Sequence, residues 1–456
     1  MPAVTFRVLA AALAGALAAL PAAAETYAGY ERQSLYVPVR DGTRLAMNIY
    51  RPAGDDGVEA DRLPVIFVFT PYRARYIDKD GELRETALQD GLALRSLLRA
   101  GYVVAVADIR GKGASFGARR GFQDRTEAQD GHDLVQWLAA QPFSTGRVGM
   151  IGCSYLGGTT MHTASTVPPA LKAIFVGATD WDKYDFVRRG GITAQFNTRP
   201  DEPLSDDLAS VPVDADPDGV LLREAVAMHA DNTPMAALWY SMPYRDSVSA
   251  LTGNAFWEEA GIWPYAQVIR DSGMATYLWS NWKDEPTSHV IVAAENLGSR
   301  LLVGPGSHCE TPEGFDFTGE VTRYFDHYLK GRDNGFVEEP RVTYWQDAGS
   351  GAGTYAESDS VPGSESVTLT YYLGAKEANR LAPHPLGQGS AGFAVDYDVA
   401  DDAYFAFWPP SLDRHGVVFD SAPAGEAFEL LGYPVANISV SANREDADVF
   451  VYLEDV

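Results

Sequence analysis

The residues best suited to chemistry surround Ser154, in Gly152-Cys153-Ser154-Tyr155-Leu156-Gly157-Gly158. This run follows an apolar strand-like segment and opens a Gly-rich helix start, where a sharp strand-to-helix turn leaves a serine hydroxyl exposed at a sheet edge. The spacing is a variant of G-x-S-x-G, because the second glycine falls three residues after the serine. A serine so placed is a nucleophile for acyl transfer, and the helix start offers the Tyr155 N–H to an oxyanion.

Such a serine needs a base, and the base needs a carboxylate to orient it, in the chain order Ser, Asp/Glu, His. Eight histidines are present. His132 and His327 fall on amphipathic helical runs, His162 in the helix after the serine, His229 in a helical insertion, and His384 and His415 in a C-terminal β region. Of His289 and His308, His308 follows the apolar run Arg300 to Gly304 through Pro305-Gly306-Ser307, at the edge where the base is required. Asp284, after the run Ala275 to Trp279, is the favoured acid because its strand immediately precedes the histidine strand. Asp180 and Asp182, at the end of an earlier run, are rivals. In the loop Thr70-Pro71-Tyr72-Arg73 the Tyr72 hydroxyl is placed to be the second oxyanion donor, or else its ring is a packing residue.

Other motifs argue for less. Asp108-Ile109-Arg110-Gly111-Lys112-Gly113-Ala114-Ser115 matches neither phosphate-binding glycine pattern, so an Asp108–Arg110 pair shaping the sheet edge is expected. No zinc or calcium pattern occurs, so neither metal nor cofactor is implied. Cys153 and Cys309 each flank a proposed triad member, so a disulfide between them is open. Buried free thiols are the default expectation, since neighbours of an elbow serine point away from it.

These residues need a scaffold, and alternating periodicities supply one. Ser34 to Arg40 and Thr43 to Tyr50 flank Asp41-Gly42 as a hairpin. Short apolar runs at Val65 to Thr70, Tyr102 to Asp108, Val148 to Gly152 and Ala173 to Gly177 alternate with helical stretches such as Thr86 to Ala100 and Glu127 to Ala140, predicting a mostly parallel sheet covered on both faces. Residues 181–274 read as a helical insertion rich in aromatic residues, a cap over the sheet's active edge. The α/β pattern resumes over 275–335 and includes a helix through Val321, Tyr324, Phe325, Tyr328 and Leu329 that stops at Gly331. From 336 to 456, short alternating runs (Val342 to Gln346, Val367 to Tyr372, Ala436 to Ser441) predict a separate β domain.

Composition bounds the partners. The 456 residues are 46% hydrophobic and carry 62 Asp plus Glu against 36 Lys plus Arg, a formal charge of −26. With no basic cluster, nucleic acid is excluded as a partner. Residues 1–24 combine Arg7, an apolar run from Val8 to Leu20 and Ala22-Ala23-Ala24, the pattern of a cleaved signal peptide; the mature protein is expected to be secreted or periplasmic and off the membrane. Association with further copies of the chain is open.

At these residues the sequence resembles the cocaine-esterase and X-Pro dipeptidyl-peptidase group of serine hydrolases, which includes α-amino-acid ester hydrolases. The likeness rests on Thr70-Pro71-Tyr72, on Asp108 to Ser115, on Gln141-Pro142 through Gly146 to Met150 and on to Tyr155, on Gly304-Pro305-Gly306-Ser307-His308, and on Phe325-Asp326-His327-Tyr328-Leu329-Lys330-Gly331. It implies an α/β-hydrolase sheet with a helical cap and a C-terminal jelly roll, a triad of Ser154, Asp284 and His308, and an oxyanion hole from the Tyr72 hydroxyl and the Tyr155 N–H. Two departures stand out. The acid loop reads Asn281-Trp282-Lys283-Asp284 where the group has Gly-Trp before its Asp, and Gly304-Pro305-Gly306 replaces Gly-Pro-Trp, implying a more open pocket wall.

The expected activity is cleavage of a small carboxylic ester or amide through an acyl-enzyme, with an esterase favoured over an X-Pro dipeptidyl aminopeptidase or α-amino-acid ester hydrolase. Peptide or amino-ester substrates need a carboxylate for their ammonium group, for which Asp182, Asp185, Glu258 and Glu259 are the options. A catalytically inert secreted binding protein is the alternative of another class. From Arg341 onward only about five or six strands can be placed against the roughly eight a jelly roll needs. The β domain is therefore expected to be incomplete, with an open apolar face at Val449 to Leu453 and the chain either a fragment or completed by another chain.

Overall fold

The computed structural model describes residues 27–55, 57–194, 201–349, 352–376, 379–396 and 415–454. The proposed signal segment, 1–24, lies outside them. Strands β1 (Gly29–Pro38), β2 (Arg44–Gly54), β3 (Leu63–Thr70), β4 (Val103–Asp108), β5 (Ser144–Cys153), β6 (Leu171–Gly177), β7 (Ala275–Asn281), β8 (Arg300–Gly304), β9 (Val342–Asp347) and β10 (Gly353–Ser358) form one sheet in the order β1-β2-β4-β3-β5-β6-β7-β8-β9-β10. The β1–β2 hairpin and the β2–β4 and β9–β10 pairs are antiparallel. Every pair from β4 to β9 is parallel.

The central strands are apolar throughout because both of their faces are covered. Val65, Phe67 and Phe69 of β3 and Val103, Ala105 and Ala107 of β4 join one buried cluster. The alternate residues Ile66, Val68, Val104 and Val106 join the cluster on the other side. Each such side chain contributes about 1.5–3 kcal/mol when fully buried. Helices α2 (Arg125–Ala139) and α3 (Tyr155–Ala164) pack on the first side through Leu134, Val135, Leu138 and Met161. Helices α1 (Leu94–Arg99) and, later in the chain, Phe317–Lys330 cover the other through Leu97, Leu98, Val321, Tyr324 and Phe325.

Local chemistry sets the helix ends. Asp124 accepts the Glu127 N–H at 3.0 Å to start α2. Asp316 accepts the Gly319 N–H at 3.0 Å to start the helix Phe317–Lys330, which ends where Gly331 adopts φ 68°.

The insertion carries helices α4 (Lys183–Val187), α5 (Leu204–Leu208), α6 (Val220–Met228), α7 (Met235–Tyr240), α8 (Phe256–Ala260) and α9 (Ala266–Asp271). Its own core stacks Trp239 on Trp257, ring centroids 5.3 Å apart. The Phe122 ring links that core to the serine turn, 5.7 Å from Trp239 and 4.5 Å from Tyr155.

The C-terminal expectation needs correction. Val342–Asp347, read as part of a separate β domain, is β9 of the main sheet and pairs with β8, so the chain does not leave the sheet at 336. Beyond β10 the described residues pair Tyr372–Gly374 with Arg380–Ala382 as a two-stranded ladder, and a single parallel bridge joins Arg380 to Asp420. Among the described residues, Val367 to Tyr371 and Ala436 to Ser441 do not pair as strands. A strand forms only where a neighbour takes its ladder hydrogen bonds, and alternation in sequence does not supply that neighbour. Val449 to Leu453 are 48–63% exposed.

Candidate active site

The residues singled out in sequence lie beyond the C-terminal ends of the parallel strands, where ligands meet open α/β sheets. Tyr72 follows β3, Ser154 follows β5, Asp284 follows β7 and His308 follows β8.

Ser154 joins β5 to α3 with φ 61° and ψ −130°, a conformation rare for a residue with a side chain. Backbone bonds hold it there: its N–H donates to the Gly177 carbonyl at 3.1 Å, and its carbonyl accepts from Gly158 N–H at 3.0 Å. The displaced glycine now has a reason. A Cβ on Gly152 would lie 2.3 Å from the Leu156 backbone, and one on Gly157 would lie 2.4 Å from the Gly177 carbonyl oxygen. Close approach to β6 therefore falls at the third residue after the serine, and Leu156 is free to be buried. Gly157→Ala should cost about 1–3 kcal/mol of stability by overpacking, read as a lower urea midpoint, and should slow turnover because the serine turn must shift to relieve the clash.

His308 and Asp284 meet as expected, with Nδ1 2.8 Å from Oδ1. The Asp284 side chain is fully buried and His308 about one-third exposed. Burial draws the His308 pKa down, but the hydrogen bond and charge of Asp284, with the charge of Glu285, outweigh it and the net direction is up. The two loops run side by side: Trp282 N–H donates to the Gly304 carbonyl, Lys283 N–H to Gly306, and Asn281 Nδ2 to the Ser307 and Glu310 carbonyls at 2.7 and 2.9 Å. Asp284, Glu285 and His308 bring three donor atoms within 4.8 Å of one another. The short contact is nevertheless a hydrogen bond from Nδ1, which commits the nitrogen that a cation would require.

Tyr155 begins α3, so its N–H has no intrahelical acceptor. Its hydroxyl donates to Glu127 Oε2 at 2.8 Å, which leaves only the N–H for an oxyanion. Burial pushes the Glu127 carboxyl up to about 8. Tyr72 is half exposed, with its ring edge-on to Tyr155, centroids 6.3 Å apart.

The rivals are committed elsewhere. Asp180 pairs with the buried Lys183 at 2.9 Å, and Asp182 caps α4 and pairs with Arg245. His289 Nδ1 accepts from the Trp181 N–H at 3.2 Å and its Nε2 faces Asp185 at 3.3 Å. Asp108 does not pair with Arg110. It accepts the Ala74 and Ala114 N–H groups at 2.6 and 2.9 Å, while Arg110 reaches Asp130 and Asp41, both at 2.8 Å. Each oxygen of the buried carboxylate thus has a backbone donor, and the guanidinium takes its partners elsewhere.

The free-thiol expectation also falls. Cys153 and Cys309 form a disulfide, their Cα atoms 5.9 Å apart. The loop after β8 turns back over the sheet edge, and Cys309, at φ 56°, faces β5 rather than the solvent. Their adjacency to Ser154 and His308 was the signal in sequence. Glu285 was missed altogether.

Residues 41–310 match the family model described as X-Pro dipeptidyl-peptidase (S15 family). The chain belongs to the S15 family. Its members are serine acyl hydrolases, named in curated relatives as esterases and as dipeptidyl-peptidases. Residues 334–456 match the X-Pro dipeptidyl-peptidase C-terminal non-catalytic domain. A Mycobacterium bovis protein classed as a serine esterase is 28% identical over 94% of this chain and 79% of its own length. The cocaine esterase of a Rhodococcus species is 25% identical over 93% of this chain and 80% of its own length. The S15 fold is shared with a CocE/NonD family hydrolase from Staphylococcus aureus, at 20% identity and TM-score 0.61, covering 78% of this chain and 60% of that one. No helix among the described residues is long and apolar enough to cross a membrane.

Proposed function

We propose that the chain is an exported serine esterase that cleaves small carboxylic esters through a Ser154-His308-Asp284 triad. The observation that carries this reading is the 2.8 Å contact between His308 Nδ1 and Asp284 Oδ1, in a loop tied by disulfide to the residue before the strained Ser154. Ser154 Oγ attacks the ester carbonyl while His308 Nε2 takes its proton, and Asp284 holds the resulting imidazolium. The Tyr155 N–H and Tyr72 hydroxyl receive the developing oxyanion. His308 then protonates the leaving alcohol, and water, deprotonated by the same imidazole, releases the acid from Ser154.

An ester is favoured over an X-Pro peptide because most of the carboxylates available to hold a substrate ammonium are already used. Asp182 caps α4 and pairs with Arg245, Asp185 faces His289, and Glu259 bonds Arg120, Asn254 and the Arg125 N–H. Export is supported by the sequence of residues 1–24 and by the disulfide, which suits an oxidising compartment.

Purified protein given p-nitrophenyl acetate and Gly-Pro-p-nitroanilide in parallel tests the reading. The ester should be the better substrate by kcat/KM, and a preference for the anilide would transfer the assignment to dipeptide release. A folded protein that a fluorophosphonate probe fails to label would instead be an inert binding protein.

A further inference from the structure

His308 Nδ1 faces two carboxyl groups. Asp284 Oδ1 is 2.8 Å away and Glu285 Oε2 3.7 Å. Glu285 is not a solvated surface residue: its side chain is about one-sixth exposed. The turn that carries it is fixed by the Thr287 hydroxyl, which donates to the Asn281 and Asp284 carbonyls at 2.5 and 2.9 Å. Among the described residues, Asp284 Oδ2 and Glu285 Oε2 are both buried and make no formed hydrogen bond. Two buried carboxyl oxygens without donors, beside one imidazole, are unusual in a site that needs a single orienting acid.

We propose that Glu285 is a second positioning carboxyl for His308, standing beside Asp284 and close enough to take over its hydrogen bond to Nδ1. The proposal rests on the triad reading above. It differs from that reading in assigning the imidazole two anionic partners: Asp284 sets its orientation, and Glu285 adds charge on the same side when the imidazolium forms. A side-chain rotation that closes the gap from 3.7 Å to hydrogen-bond length suffices for the exchange. The ionisable groups facing Glu285 are Asp284 and His308. Burial foremost, and then the Asp284 carboxyl, push its pKa up and outweigh the downward pull of the His308 charge. In turn, the Glu285 charge raises His308.

A base must be neutral to take the serine's proton, so the acid limb of kcat/KM tracks His308. Glu285→Gln removes one anion from beside the imidazole, lowers its pKa and should move that limb to lower pH by roughly half a unit or more. With p-nitrophenyl acetate, Asp284→Ala should lose roughly 10²-fold or more in kcat/KM, and Asp284→Ala/Glu285→Ala roughly tenfold beyond that. Equal rates in the single and double variants would overturn the proposal. If Asp284→Ala does not fold, Glu285→Gln decides alone, and an acid limb that stays in place overturns it. Wild-type turnover by His308→Ala would remove the triad reading itself, whereas an inactive His308→Ala with no effect at Glu285 would remove only the second carboxyl.

Discussion

Ser154→Ala should lower kcat/KM for p-nitrophenyl acetate by roughly 10⁴-fold or more, leaving only the small rate that oxyanion donors and binding provide. The fold should survive, because the Ser154 side chain caps no helix and its position is held by backbone bonds to Gly177 and Gly158. Circular dichroism and the urea midpoint should therefore match the wild type while turnover and fluorophosphonate labelling vanish together. Retention of near-wild-type hydrolysis would remove Ser154 as nucleophile.

The same position allows strain to be measured apart from chemistry. A non-glycine residue at φ 61° and ψ −130° costs about 1–3 kcal/mol. Ser154→Gly should thus be inactive like Ser154→Ala but melt at a higher temperature, because glycine adopts that backbone without a clashing Cβ. The serine turn is maintained by close packing at Gly152 and Gly157, where any Cβ meets backbone.

Much of this site was legible because two separate physical signals coincide in it. The central strands appear as unbroken apolar runs since helices cover both faces, and each run ends in a loop with a reactive residue. Ser154, Asp284 and His308 therefore fall at corresponding places, after β5, β7 and β8. What was not legible depended on where loops turn. Asp108 and Arg110 lie two residues apart in sequence but answer to different partners, the carboxylate to amides at Ala74 and Ala114, the guanidinium to Asp130 and Asp41. Glu285 carries no signal of its own in sequence, and only the Asn281–Thr287 turn places it 3.7 Å from His308 Nδ1. Past Ser358, among the described residues, the alternating runs Val367 to Tyr371 and Ala436 to Ser441 have no cross-strand neighbours while Tyr372–Gly374 and Arg380–Ala382 pair, so period alone does not decide which run becomes a strand. Val342–Asp347 is a different case, since nothing in its alternation distinguishes an edge strand of the main sheet from the first strand of a new domain.

Opening the Cys153–Cys309 disulfide should destabilise the protein and slow it at the same time. The bridge closes a loop with a sequence separation of 156 residues. In the chain-entropy treatment a loop of that length is worth about 5 kcal/mol. Its catalytic importance comes from sheet geometry. β5 and β8 are separated by β6 and β7, so at about 4.8 Å per strand their ends are roughly 14 Å apart. A serine and a histidine on those strands cannot meet unless the loop after β8 reaches back across the edge, and the bridge holds that reach at a Cα–Cα distance of 5.9 Å. Cys309 also adopts φ 56°, a left-handed conformation uncommon for a residue with a side chain. Cys153→Ser/Cys309→Ser should therefore melt roughly 5 °C lower and lose roughly tenfold or more in kcat with little change in KM, because the base drifts from the nucleophile while the binding surface stays. Titration with dithiothreitol, following free thiols and ester turnover together, should show activity falling as two thiols appear. If both thiols react while turnover and melting temperature hold, the hydrogen bonds between the Asn281–Asp284 and Gly304–Glu310 loops are sufficient to position His308 and the bridge is dispensable.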